Sequence, residues 1–235
     1  MRVPVLEALP WDSAWLGLSV ARLVAEPATT AAAVAAAVAQ SQARGVRLLY
    51  LVLPAGSPAA AEIDGAWPAD VRLTYQWTAA PVPAPAGGSL LQLARLTEAT
   101  PALRELAWQS GEYSRFRRDA RIPPAAREAL YAEWLARALG HDIVWGAWMA
   151  DELVGMLAFE GGPNLARIEL VAVAPTAQRC GVGQALVQAA RHETHRRGLA
   201  TLQVVTQQAN APARQLYERS GFRQIDARDV YHVWQ

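Results

Sequence analysis

Two stretches in the second half of the chain combine residue types and spacings suited to chemistry on a phosphate-bearing thioester. The first is Gln178-Arg179-Cys180-Gly181-Val182-Gly183, which follows an apolar run over residues 168–173 and then Pro175. The run reads as a buried strand and the residues after Gly181 as a helix. Glycine at 181 and 183 lets a backbone approach a ligand with no Cβ in the way. The helix they open presents unbonded N–H groups and its positive end, and Arg179 adds a full charge. Such a turn binds anions, and two linked phosphates suit it best. The second stretch, residues 210–222, holds Asn210 and Tyr217. Seven residues are two helical turns, which sets the two side chains on one face about 10 Å apart. Asn210 is a natural N-cap. A phenol with a pKa of about 10 stays protonated at neutral pH and can hand a proton to a departing anion.

Those residues need a scaffold, and the hydrophobic pattern supplies one. Residues 79–89, rich in Pro, Ala and Gly, read as a linker. Beyond it the pattern predicts a strand over 90–96, a helix over 100–110 and a charged, irregular stretch over 111–122. A helix over 124–139 follows, then an antiparallel pair over 143–149 and 153–160 joined by a tight turn. Next come a strand over 167–174 and a helix over 181–197, with Val182, Leu186, Ala189 and Ala190 on one apolar stripe and Gly198 at its C-terminal cap. A strand over 201–206, a helix over 210–220 and a strand over 223–234 complete it. Before the linker, strands over 18–24, 46–53 and 71–78 and a helix over 30–44 suggest a smaller lobe. The expected fold is α/β, a mixed central sheet with flanking helices. It divides into an N-terminal lobe (1–78), the linker (79–89) and a main domain (90–235).

Composition narrows the possibilities further. The net charge of +1 gives no general attraction to nucleic acid. All the basic residues are Arg, so no Lys can serve as a Schiff base or general base. A single cysteine, Cys180, excludes an internal disulfide and fits a reducing, cytoplasmic setting; it is expected to fill a small space in the turn. No spacing of ligands suggests a metal, and no apolar run is long enough to span a bilayer.

In these two stretches the chain resembles the Gcn5-related N-acetyltransferase (GNAT) superfamily. Gln178 to Gly183 satisfies its Q/R-x-x-G-x-G/A acyl-CoA motif, and Asn210, Ala213, Leu216, Tyr217, Gly221 and Phe222 match its downstream N-x-x-A-x-x-L-Y-x-x-x-G-F pattern. The resemblance implies acetyl-CoA as co-substrate, held by Val171, Ala172 and Val173 along the pantetheine arm. It also implies contacts from Gln178, Arg179, Cys180, Gly181, Val182, Gly183 and Gln184 at the pyrophosphate, with Asn210 and Tyr217 beside them. The amide of Val173 would polarise the thioester carbonyl, and Tyr217 would be the general acid. Glu169, two residues before Val171, shares its face if pairing is regular and is the candidate base.

For the acceptor, residues 112–121 place four Arg and two aromatics in one loop, which suits a ligand with phosphate and a flat base. Ser114-Arg115-Phe116-Arg117, Tyr131 with Trp134, and Trp11-Asp12 are similar to the dTDP-fucosamine acetyltransferases. That likeness implies a nucleotide-linked deoxyamino sugar as acceptor, with Arg115, Phe116, Arg117 and Tyr131 contacting it. A cationic acceptor is disfavoured by the scarcity of clustered carboxylates. A peptide amine, and a non-catalytic acyl-CoA-binding role, are the alternatives. The alanine-rich helix over 30–44 offers an apolar face for either core packing or a homodimer.

Overall fold

The computed structural model of the chain describes residues 4–82 and 91–235; most of the expected linker, 83–89, and Leu90 lie outside them. The first half runs β1 (Val5–Ala8), α1 (Pro10–Leu16), β2 (Val20–Val24), α2 (Ala31–Ala43), β3 (Leu48–Pro54), a short 3₁₀ turn (Pro58–Glu62) and β4 (Ala66–Thr78). The second runs β5 (Gln92–Leu96), α3 (Pro101–Ser110), α4 (Arg115–Arg118), α5 (Pro124–His141), β6 (Ile143–Met149), β7 (Glu152–Gly161) and β8 (Leu165–Val173). It closes with α6 (Val182–Arg196), β9 (Thr201–Gln207), α7 (Ala211–Arg219) and β10 (Arg223–Trp234). β1, α1 and α4 had no clear pattern in the sequence because each is too short to show a period. None of the described helices is long and apolar enough to cross a membrane.

Side-chain chemistry sets the helix ends. Thr30, Thr100 and Asn210 each accept a hydrogen bond from the backbone N–H three residues on, satisfying one orphan donor of the first turn. Pro101, Pro124 and Pro212 occupy first-turn positions where no N–H is needed. The turn between β6 and β7 puts Ala150 and Asp151 at φ of +46° and +65°, the geometry of a two-residue hairpin.

The ten strands make one sheet in the order β1-β2-β3-β10-β4-β9-β8-β7-β6-β5. The two halves of the sequence are interleaved in it. β10 pairs with β3 from Trp234↔Leu48 to Arg228↔Pro54, and β4 pairs with β9 from Arg72↔Gln207 to Thr78↔Thr201. Each half therefore gives its last strand to the other. The arrangement has an approximate internal symmetry: the parallel crossover β2–α2–β3 answers β8–α6–β9, with β4 and β10 meeting at the centre.

Alternation along the strands divides the core by face. On β10, Val233 and Tyr231 pack with Leu49, Leu51 and Leu53 toward α2. Trp234 turns the other way, to Tyr50, Phe116 and Leu130 under α1, α4 and α5. Leu73 and Tyr75 of β4 join Ile168, Leu186 and Tyr217 in the core beneath α6 and α7. Leu103, Leu135, Leu170 and Ala172 form the opposite one, beneath α3 and α5.

The sheet opens between β8 and β9. β8 and β9 pair in parallel only from Leu165↔Thr201 to Ile168↔Val204. Past that point β8 continues along β7 alone, as far as Gly155↔Val173. The separation coincides with a register shift: Ala158 pairs with Leu170 and Phe159 with Ile168, so Glu169 is the extra residue of a bulge.

Candidate active site

The opening between β8 and β9 exposes a strand edge. Ala174 N–H donates to Val154 O at 2.8 Å. Antiparallel alternation then turns the peptide groups of Ala172 and Ala174 to β7 and those of Val171 and Val173 into the gap. Of the three residues expected along the pantetheine arm, Val171 and Val173 thus turn their N–H and C=O groups to the gap, while Ala172 is committed to the ladder and buries its side chain under α3 and α5.

At the end of that edge the chain turns into α6. Gly181 is its N-cap, at φ +83°, and has no side chain to occupy the helix's orphan N–H groups. A Cβ built on Gly181 would meet nothing within 4 Å, so the mouth is open. Arg179 is also left-handed, at φ +62°, an uncommon state for a residue with a Cβ. Gln178 Nε2 donates to Val173 O at 3.4 Å, tying the turn to the strand edge. Cys180 does not fill a space: it is exposed, with Sγ 3.5 Å from Gln178 O. Val182 is buried and anchors the helix against Gly155, while Gln184 faces solvent. Gly183 has a packing reason. A Cβ there would lie 3.1 Å from Leu216 Cδ2 and 3.7 Å from Val173 Cγ2, so β8, α6 and α7 converge on it.

That convergence brings α7 to the cradle. Asn210 Oδ1 accepts from Ala213 N at 3.1 Å, which fixes the helix start and leaves the amide nitrogen for a ligand. Tyr217 is 2 % exposed, its ring 5.9 Å from that of Tyr75 and 5.8 Å from that of Phe222. Burial pushes its phenol pKa well above the ordinary value, so the hydroxyl stays protonated. Glu169 does not meet the condition of regular pairing. As a bulge residue it sits among Glu160, Arg137 and Arg167, and burial together with Glu160 raises its pKa. Arg137 lies on α5.

On the other side of the sheet, the arginine-rich segment is partly used by the fold. Asp119 is 1 % exposed and accepts from His232 Nδ1 at 2.7 Å, Trp234 Nε1 at 2.9 Å and Arg121 Nε at 2.8 Å. Arg117 lies over the Trp108 ring, 4.3 Å from its centroid, and donates to the Trp108 carbonyl. Phe116 and Tyr131 are buried in the core under α1, α4 and α5 rather than lining an open site. Arg115 differs from Arg121 and Arg117. Its guanidinium stacks on Tyr50 (4.5 Å) and Phe116 (4.2 Å), forms no salt bridge among the described residues, and has an unpartnered Nε.

Residues 101–222, more than half of the chain, match the Acetyltransferase (GNAT) family. The chain belongs to the GNAT family of acetyltransferases. Solved structures of low identity share the fold. A GCN5-related N-acetyltransferase from Sphaerobacter thermophilus superposes with a TM-score of 0.63 at 15 % identity, covering 99 % of this chain and 76 % of that one. One from Kribbella flavida gives 0.61 at 14 % identity, covering 99 % and 88 %. A tandem GNAT protein from the clavulanic acid biosynthesis pathway gives 0.59 at 18 % identity, covering 93 % and 76 %. No curated protein matches the sequence.

Around Arg115 this GNAT chain gathers groups that the sequence did not single out. Asp12 on α1, Tyr50 on β3 and Asp70 on β4 are all within its electrostatic reach. Two carboxylates thus bear on one guanidinium, within the expectation that clustered carboxylates are few. Burial raises both, Asp70 to about 6, with Arg115 the largest opposing influence. No local spacing could have revealed a site assembled from α1, β3, β4, α4 and β10, since it exists only once the two halves interleave.

Proposed function

We propose that this GNAT protein transfers an acetyl group from acetyl-CoA to the primary amine of a small acceptor, by direct attack in a ternary complex. The observation that carries this reading is the juxtaposition, at one gap in the sheet, of an exposed strand edge and an uncapped helix N-terminus, with α7 packed against both through Leu216. Acetyl-CoA would supply the activated acyl group. A group with linked phosphates fits the mouth of α6, where Gly181 leaves space and Arg179 adds charge. Val171 and Val173 hold the extended arm by backbone hydrogen bonds, as an added strand would be held. The N–H of Val173 polarises the reacting carbonyl, a single preorganised donor contributing a few kcal/mol, roughly.

As the amine nitrogen bonds to the acetyl carbon, the carbon–sulfur bond breaks and its electron pair stays on sulfur. Tyr217 gives that sulfur a proton, and the amine's surplus proton leaves to Glu169 through water. The cytoplasm is the setting we assign to this reaction, with no metal involved.

The acceptor we favour is a nucleotide-linked deoxyamino sugar, with dTDP as the nucleotide. Its support is the run Ser114-Arg115-Phe116-Arg117, together with an Arg115 guanidinium that forms no salt bridge among the described residues and leaves its Nε open. Thiol release from acetyl-CoA against dTDP- and UDP-linked amino sugars, free amino sugars and peptides tests the reading. Turnover of a nucleotide sugar, slowed about 100-fold by Tyr217→Phe, is the expected result. Turnover of peptides alone would replace the acceptor, and a chain that binds acetyl-CoA yet acetylates nothing would be a regulatory module.

A further inference from the structure

We infer that the seam between the two halves of the sheet is a binding site for an amine that also carries an anionic group, with Arg115 taking the anion and Asp70 the ammonium. The inference rests on the acetyltransferase reading above and gives its acceptor a chemical class.

Buried polar atoms with nothing to bond mark the site. Tyr50 is 1 % exposed and its hydroxyl closes no well-formed hydrogen bond among the described residues, although Asp12 and Arg115 both lie within hydrogen-bonding reach of it. His232 is fully buried, its ring 5.1 Å from that of Tyr50. Because Asp119 only accepts, His232 must carry its proton on Nδ1, which leaves Nε2 as a bare lone pair, and that atom has no partner either. Trp15 Nε1 is a third such atom, on a ring 5.6 Å from that of Phe116. Buried donors and acceptors left open cost about 1–3 kcal/mol each, so several around one guanidinium argue for a ligand that completes them. A guanidinium stacked on two rings, with no carboxylate bonded to it among the described residues, presents its N–H edge to a carboxylate or phosphate.

Asp70 supplies the complementary pole. It forms no ion pair among the described residues, and lies two residues along β4 from Arg72, which pairs with Gln207 at the end of β9. A strand spacing of about 4.8 Å and a rise of about 3.3 Å put the Cα of Asp70 about 8 Å from that of Gln207. It therefore stands beside the mouth of the β8–β9 gap, where the amine must arrive, while Arg115, Tyr50 and His232 continue the seam away from it. The shared chemistry, a cation near the gap and an anion deeper in the seam, is found in amino acids, phosphorylated amines and nucleotide-linked amino sugars.

The test uses the full chain and a paired panel: an α-amino acid and its amide, phosphoethanolamine and ethanolamine, glucosamine 6-phosphate and glucosamine, and a dTDP-linked amino sugar. Thermal shift reads binding without acetyl-CoA, and thiol release reads turnover. At least one anionic amine is expected to raise Tm and to exceed its neutral counterpart at least tenfold in kcat/KM. Arg115→Gln should abolish that preference, Arg115→Lys should restore part of it, and Asp70→Asn should raise KM at least tenfold. The pair that responds identifies the source of the anion. Equal response to charged and neutral members, or a preference that survives Arg115→Gln, overturns the inference while leaving acetyl transfer intact. A Tm shift lost in Arg115→Gln with no thiol release upholds the site and overturns the acetyltransferase reading.

Discussion

His232 Nδ1 stands 2.7 Å from Asp119 Oδ2, a bond between residues 113 apart in sequence that ties β10 to the segment after α4. The same carboxylate receives Trp234 Nε1 and three donors of Arg121, its backbone N–H included. These donors hold the Asp119 pKa far below the usual carboxylate range despite its burial, and the imidazole beside it is pushed down to about 4 by burial and by Arg115. Asp119→Ala would strand two buried N–H donors and a guanidinium. A loss on the order of 3 kcal/mol is expected in chemical denaturation. Asp119→Asn should recover part of it, because its carbonyl can still accept from His232.

The carboxylate of Asp70 should behave in the opposite sense. Its pKa is about 6 in the fold against 3.8 for the ordinary group, so the folded state binds the extra proton between those values. Its contribution to stability is complete below pH 3.8 and is lost as pH rises through 6, leaving a charged group that costs on the order of 2–3 kcal/mol at neutral pH. Asp70→Asn is therefore expected to raise Tm at pH 7.5 and to change it little near pH 4, while weakening acceptor binding. Melting curves across pH check this; a variant less stable than the wild type at pH 7.5 would contradict it.

The two glycines of the cradle should fail differently. Gly183→Val places side-chain atoms where Leu216 and Val173 already stand, pushing α7 from the cradle. A loss of about 1–3 kcal/mol is expected, with KM for acetyl-CoA raised about tenfold. Gly181→Ala meets no atom within 4 Å but must hold φ at +83°, costing about 1–2 kcal/mol with a smaller effect on KM. Isothermal titration with CoA and melting curves separate the two.

What could be read in advance follows from where the determinants lie. The cradle and α7 are local: Gly181, Gly183, Asn210 and Tyr217 announce themselves by spacing within one turn or helix, and the elements around them fell within a few residues of expectation. The seam is not local. Tyr50 looks like any core aromatic of an apolar strand, and Asp70 like a strand-end carboxylate. Their meeting with Arg115 and His232 depends on β4 and β10 exchanging sides, which no periodicity encodes. The bulge at Glu169 was hidden for a related reason, since strand register is set by the partner strand and not by the bulged residue.

That bulge bears on the last expectation, the identity of the base. An unperturbed carboxylate is too weak a base to deprotonate an ammonium near neutral pH, whereas one with a raised pKa is better matched. Glu169 is raised by burial and by the adjacent Glu160, with Arg137 and Arg167 opposing. Because the register shift breaks its alignment with Val171, contact with the amine would pass through a water rather than be direct. Glu169→Gln should then lower kcat about tenfold, less than Tyr217→Phe, and should remove the acidic limb of the pH–rate profile while leaving the thermal shift with acceptor intact. If the acidic limb persists in Glu169→Gln and disappears in Asp70→Asn, the proton leaves through the seam and Asp70 takes the role assigned to Glu169.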